Sequence, residues 1–244
     1  MAPLADRPDR SGAFHDSLGR VARPLLLVAL CAGLAPGPAH GDVDGELAAL
    51  TAALPACEPA RPHCLGIQLH VPVVAGGDGL IARADWLAVQ LAEANRHFAP
   101  IDVGFQVVGA DRLPAGAGHV ATPADRDAVA DGRLTGKVID VFITGQLDDV
   151  DPPGGVIRGV TWRVRGSDRK YVILSTAAPG RVLAHELGHV FGLPHSRYAI
   201  SIMNKQPRTE PPAEQRTFAA AELAAMRPAL RRLLRDQVIA DVPR

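Results

Sequence analysis

Three histidines and a glutamate share the run His185-Glu186-Leu187-Gly188-His189-Val190-Phe191-Gly192-Leu193-Pro194-His195. On a helix, His185 and His189 project from one face about one turn apart, so both imidazoles can reach a single metal ion. Glu186 lies about 100° round the helix from His185, which sets its carboxylate beside that metal, where it can polarise a water. Gly192 ends the helix by permitting a left-handed turn, and Pro194 keeps it from resuming. The chain can then turn back and present His195 as a third nitrogen. Three protein ligands leave a fourth position open, which is the pattern of a catalytic zinc site and not of a structural one. The remaining residues here, Val182, Leu183, Leu187, Val190 and Phe191, are apolar. Burying three ionisable groups among them without a partner would cost several kcal/mol. A metal removes that cost.

The elements that must position this run are legible as periodicities. Ile67, Leu69, Val71 and Val73 alternate with polar residues as a half-buried strand would, and Pro72, lacking a donor, belongs near its end. After the turn Gly76-Gly77-Asp78-Gly79, an amphipathic helix is predicted from Ala84 to Phe98, with Leu87, Leu91, Ala94 and Phe98 on one stripe. Ile101, Val103, Phe105 and Val107 form a second strand. Residues from Leu113 to Leu134 read as surface loop, with a short helix from Ala124 to Ala130. Val138 to Ile143 is nearly all apolar, as a strand covered on both faces would be. Gly159 to Val164 and Tyr171 to Leu174 supply two more strands. The final helix, from Phe218 to Val238, carries the stripe Leu223, Met226, Leu230 and Leu233, with Pro228 expected to kink or divide it. Strands alternating with helices predict an α/β layer architecture with a mainly parallel sheet.

The chain has 244 residues, enough for one fair-sized domain, and 26 basic residues balance 26 acidic ones. With no basic excess or stripe, the composition gives no footing for nucleic acid. Arg20 and Arg23 precede an apolar run, Leu25 to Leu34, that is too short to span a bilayer but suits the core of a signal peptide. Residues 1–41 are therefore expected to be an export signal cut near Gly41, giving a secreted or periplasmic chain with no stable membrane span in its mature form. Cys31 raises a lipoprotein alternative, but Leu30 stands where a small residue is expected before a lipidated cysteine. Removal of the signal leaves Cys57 and Cys64. An even pair in an exported chain predicts a disulfide closing a small loop, within a short leader of residues 42–66. The other reading of the pair is a thiolate that blocks the metal.

The spacing His185-Glu186-x-x-His189-x-x-Gly192-x-x-His195 resembles the signature of the metzincin zinc proteases, and Ser201-Ile202-Met203-Asn204 resembles the Met-turn that follows it. The resemblance runs from about Ile67 to the C-terminus. It implies a twisted, five-stranded, mostly parallel sheet with helices, plus a small, mostly irregular C-terminal subdomain ending in a helix. It also implies Met203 as a hydrophobic floor beneath the zinc, and an antiparallel edge strand over the cleft containing Gly159, Val160, Thr161 and Trp162. An exposed edge can pair with an extended peptide. The expected activity of residues 67–244 is thus endopeptidase hydrolysis of a peptide or protein substrate by a monomer, with Zn2+ held by His185, His189 and His195 and Glu186 as general base. Two other readings stay open: an inactive zinc- or peptide-binding module, and a zinc hydrolase of a non-peptide amide.

Ser196 is similar to matrixins, and the spacing of Leu193 and His195 is also compatible with pappalysin-like enzymes. No cysteine-switch propeptide is present. Lys205 stands where astacins and serralysins carry a metal-binding tyrosine, so the subfamily is undecided. Asp148, Asp149 and Asp151, followed by Gly154 and Gly155, offer hard oxygen ligands where matrixins bind Ca2+, which makes them a candidate calcium site. His63, His70, His97 and His119 have no ligand spacing and read as surface or satisfied structural histidines.

Overall fold

A computed structural model describes residues 43–58, 61–152 and 154–243. The expected export signal lies outside them. In chain order the elements are α1 (Val43–Ala52), β1 (His63–Pro72), α2 (Ala84–Phe98), β2 (Val103–Leu113), β3 (His119–Val120) and α3 (Pro123–Ala130). There follow β4 (Ile139–Thr144), β5 (Gln146–Leu147), β6 (Gly159–Arg163), β7 (Lys170–Ser175), α4 (Val182–Val190) and α5 (Ala220–Arg235). The main sheet has the order β2-β1-β4-β7-β6. All its neighbours run parallel except β6, which lies antiparallel to β7 at one edge. This is the five-stranded, mostly parallel α/β sheet that the resemblance implies.

Alternation sorts the strand residues onto two covered faces. Leu65, Ile67, Leu69 and Val71 of β1 join Val141 and Ile143 of β4 and Val172 and Leu174 of β7 on the face packed by α1, α2, α4 and α5. Phe142, Tyr171 and Ile173 point the other way, into a smaller core with Val129 and Ala130 of α3. The near-continuous apolar run of β4 follows from this double burial.

Several boundaries differ from the periodic reading. β1 starts at His63, where residues of the leader and of the C-terminal tail meet: the Asp241 carboxylate accepts the Cys64 amide, and Val242 N donates to Cys64 O. Leu47 and Leu50 of α1 are buried in the main core. β2 continues to Leu113, pairing with β1 across an irregularity at Ile67/Gln68. A slip of this kind reverses which residues face the core, and so hides the strand's second half from a period-2 search. The stretch from Leu113 to Leu134 is more ordered than a loop: α3 starts at Pro123 under a Thr122–Asp125 capping box, and β3 pairs with β5. Pro228 neither divides nor ends α5, which is continuous through it. Both Pro228 and Ala224, whose carbonyl loses its donor, are exposed, so water can take the missing bond.

Between α4 and α5 the chain holds only a 3-10 turn, Ala213–Gln215, and is otherwise irregular. The Cys57–Cys64 disulfide forms, with Cα atoms 5.9 Å apart, and ties the segment after α1 to β1. No helix among the described residues is long and apolar enough to cross a membrane.

Candidate metal centre

The histidines stand on an anchored helix. Arg181, at the N-cap of α4, gives no side-chain cap. Buried Gln90 of α2 serves instead: its Oε1 accepts the Leu183 amide at 3.1 Å, and its Nε2 donates to the Ala178 and Pro179 carbonyls, each at 3.0 Å. One side chain thus satisfies an orphan donor of the first turn and fixes the loop ahead of it. At the other end Gly192 has φ +89, the left-handed turn expected there. Lys170 of β7 donates its ammonium to the His189 carbonyl, a cation placed at the negative end of the helix dipole.

His185, His189 and His195 converge, each offering a ring nitrogen within 4.8 Å of the others. His185 Nδ1 donates to Ile202 O and His189 Nδ1 donates to Leu193 O, both at 2.7 Å. Spending Nδ1–H on a carbonyl fixes the tautomer and leaves the Nε2 lone pair for a metal. Burial lowers all three histidines, His189 to about 4, with the nearby Lys205 charge adding to the effect on His185 and His195. Neutral imidazoles are the form that binds a metal. Three nitrogens with two rings locked from behind fit zinc, and no other group of this kind occurs among the described residues.

Glu186 is only 5% exposed, and burial raises its carboxyl to about 7. Thr161 of β6 opposes that shift. Its hydroxyl donates to the Glu186 backbone carbonyl at 2.7 Å and lies 3.0 Å from Oε2. The contact is close because Gly159 lacks a side chain: a Cβ there would come within 2.8 Å of Val182 Cγ1 and 3.0 Å of Glu186 Cγ.

Met203 packs against the helix that carries the histidines. Met203 is fully buried, and a Cβ on Gly188 would lie 2.6 Å from its sulfur, so the glycine inside the histidine run lets the turn approach the helix backbone. Ser201 links this turn to α5: its hydroxyl donates to the Glu222 carboxylate (2.7 and 2.8 Å), which also accepts the Ala219 amide. Met203 O accepts the Ser196 amide, tying the turn to the residue after His195. Sequence reasoning missed Gln90, Glu222 and Lys170, since each acts across a long gap; the polar Gln90 beside the apolar stripe of α2 was the available signal.

A hollow of about 590 Å³ opens over the three histidines and Glu186, walled by Gly159, Val160, Thr161 and Arg163. Ser175 N donates to Arg158 O and Val164 N to Arg169 O, so the even-numbered residues of this stretch spend their backbone groups on β7. Gly159, Thr161 and Arg163 turn theirs toward the free edge. A larger hollow of about 1050 Å³ lies over α3 and contains none of the histidines. Its lining is mostly apolar, and of its two carboxylates Asp127 is engaged by Trp162 Nε1 and Arg165, and Asp131 joins no group of metal-ligating side chains among the described residues.

Asp148, Asp149 and Asp151 do not converge as ligands. Asp148 is engaged by His119 Nε2 and Gln146 Nε2, while Asp149 accepts the Asp151 amide. His70 is buried, with its Nε2 hydrogen-bonded to Asp140, its Nδ1 against the Asp111 carboxylate without a hydrogen bond, and its ring stacked on Phe142. His97 is likewise buried, beside Glu93 and Thr217.

No family model and no curated protein matches the chain. Among solved structures it is similar to metalloproteinase-II from Bacteroides fragilis, at 14% identity and a TM-score of 0.48 over 74% of this chain and 60% of that one. It is also similar to archaemetzincin from Methanopyrus kandleri, at 17% identity and a TM-score of 0.45 over 71% of this chain and 99% of that one. Archaemetzincin from Archaeoglobus fulgidus gives 14%, 0.37, 66% and 99% for the same quantities. The chain therefore spans less than two thirds of the Bacteroides fragilis structure. Its metzincin-like character rests on the sheet, the histidine triad and the turn beneath it.

Proposed function

We propose that the chain is an exported zinc endopeptidase. The observation that carries this reading is the placement of Glu186: buried beside three convergent histidines, held by Thr161, and next to a strand with a free edge. A zinc ion on His185, His189 and His195 would lower the pKa of a bound water and polarise the scissile carbonyl. Glu186 accepts a proton from the attacking water and delivers it to the departing amine. Thr161 keeps the carboxylate aimed during both transfers. The outward backbone groups of Gly159, Thr161 and Arg163 hold the substrate as an added strand.

Export is supported by the apolar run Leu25 to Leu34 and by a disulfide, which persists in oxidising compartments. Incubation with an unfolded protein tests the activity. Cleavage should stop with a zinc chelator and return when zinc is restored. Binding of that protein without cleavage would favour an inactive module, and hydrolysis confined to small amides would favour a non-peptide hydrolase.

A further inference from the structure

A second hollow, of about 550 Å³, lies beyond His195 and shares His195 and Lys205 with the hollow over the metal ligands. Its wall is built rigidly. The Arg208 guanidinium donates to the carbonyls of Ala199, Ser201, Asn204 and Gln206, and Arg216 donates to the carbonyls of Arg208 and Pro211. These bonds occupy four of the five N–H donors of Arg208 and leave its charge uncompensated. Arg197 and Lys205 line the same hollow, and neither has an ion-pair partner among the described residues; only Glu210 opposes them.

The other cations around the metal hollow are differently placed. Arg126 donates to Asp148 O, Lys170 to His189 O, and Arg163 pairs with Asp168. Lys205 is thus the uncommitted cation on the shared wall, directly beside a metal ligand. A peptide residue next to the scissile bond would set its side chain here.

Building on the peptidase reading, we infer that this hollow binds a carboxylate, and that the substrates are peptides with an acidic group beside the scissile bond. Lys205 supplies the direct contact, and Arg197 and Arg208 supply the field. A neutral or basic side chain gains nothing from this wall.

The test uses the zinc-loaded full chain and a quenched neutral peptide, with Glu or Lys placed in turn at each of the two positions either side of the cleaved bond. Glu at one position should raise kcat/KM on the order of tenfold over the neutral peptide, with the gain shrinking at high salt. Lys205→Gln should remove that gain, and Lys205→Glu should transfer it to the Lys peptide. Peptides ending near the bond, as free acid or amide, separate the two sources of carboxylate. A gain that vanishes on amidation assigns the site to a chain terminus, and one that survives assigns it to Asp or Glu side chains. Equal rates for Glu, neutral and Lys peptides, or a gain that persists in Lys205→Gln, would overturn the inference. Fluorescence anisotropy of the same peptides on Glu186→Gln reads the preference without turnover. Should the wild type cleave no peptide, the peptidase reading fails, and equal binding of Glu and neutral peptides would then overturn the carboxylate site as well.

Discussion

Burial acts in opposite directions on the two kinds of group at the metal centre. With metal removed, folded Glu186 keeps its proton up to about 7, against 4.5 ordinarily, so the folded state binds more protons between those values. That contribution makes stability fall as pH rises from about 4.5 to about 7. His189 and His97 are lowered to about 4, and His185 and His195 are lowered too, so the unfolded state binds more protons below the usual 6.5. Their contribution makes stability rise across that window. Four histidines outweigh one glutamate, and the melting temperature of the chelated chain should rise from pH 4.5 to 6.5. Glu186→Gln removes the opposing slope and should steepen that rise; a shallower rise in the variant would contradict the burial account. Thr161 holds Glu186 down by hydrogen bonding, so Thr161→Val should move the acid limb of the kcat/KM profile to higher pH and lower the rate about tenfold. Thr161→Ser should restore both. The candidate ligands His185 and His189 and the carboxylate of Glu186 were legible from spacing within one helix, and His195 from the glycine and proline that turn the chain back after it. The hydroxyl of Thr161 was legible only as part of a strand, since its contact with Glu186 depends on how closely Gly159 lets that strand approach.

At the scale of elements, α4 depends on two contacts from outside itself. Gln90→Leu leaves the Leu183 amide unpaired in the core, while the Ala178 and Pro179 carbonyls keep Trp86 Nε1 and Val182 N, and should cost about 1–3 kcal/mol in denaturant unfolding. It should also weaken zinc binding, because the first turn carries His185. Gly188→Ala forces a methyl to 2.6 Å from the Met203 sulfur, and overpacking of this kind costs about 1–3 kcal/mol. An unchanged unfolding midpoint in either variant would remove that anchor. Strands buried on one or both faces, such as β4 and β7, were plain in the sequence because their side chains alternate or run apolar. The second half of β2 was hidden by its register slip, and the continuity of α5 through Pro228 by the exposure of the freed carbonyl, which the residue type alone does not reveal.

For the whole molecule, the alternation of strands and helices was enough to give an α/β sheet, but not to show that both ends of the described chain close over it. The disulfide and the Asp241 contacts fasten those ends beside β1. Replacing Cys57 and Cys64 with Ser should lower stability by about 2 kcal/mol, read from the unfolding midpoint, while leaving zinc content unchanged. Such long-range closure could not be read from local pattern, because nothing near Asp241 signals its partner at Cys64. The cleft joins a metal centre drawn from one helix and turn to an edge strand from the sheet, so its chemistry belongs to the assembled fold.

The proposed chemistry divides in two, with three histidines holding zinc while Glu186 moves the proton. Zinc content and cleavage of an unfolded protein, measured side by side for the wild type and Glu186→Gln, test it most directly. One zinc per chain is expected in both, with cleavage reduced in the variant by about 10²–10⁴-fold. Equal cleavage by the two chains, or a wild type that binds no zinc, would contradict it.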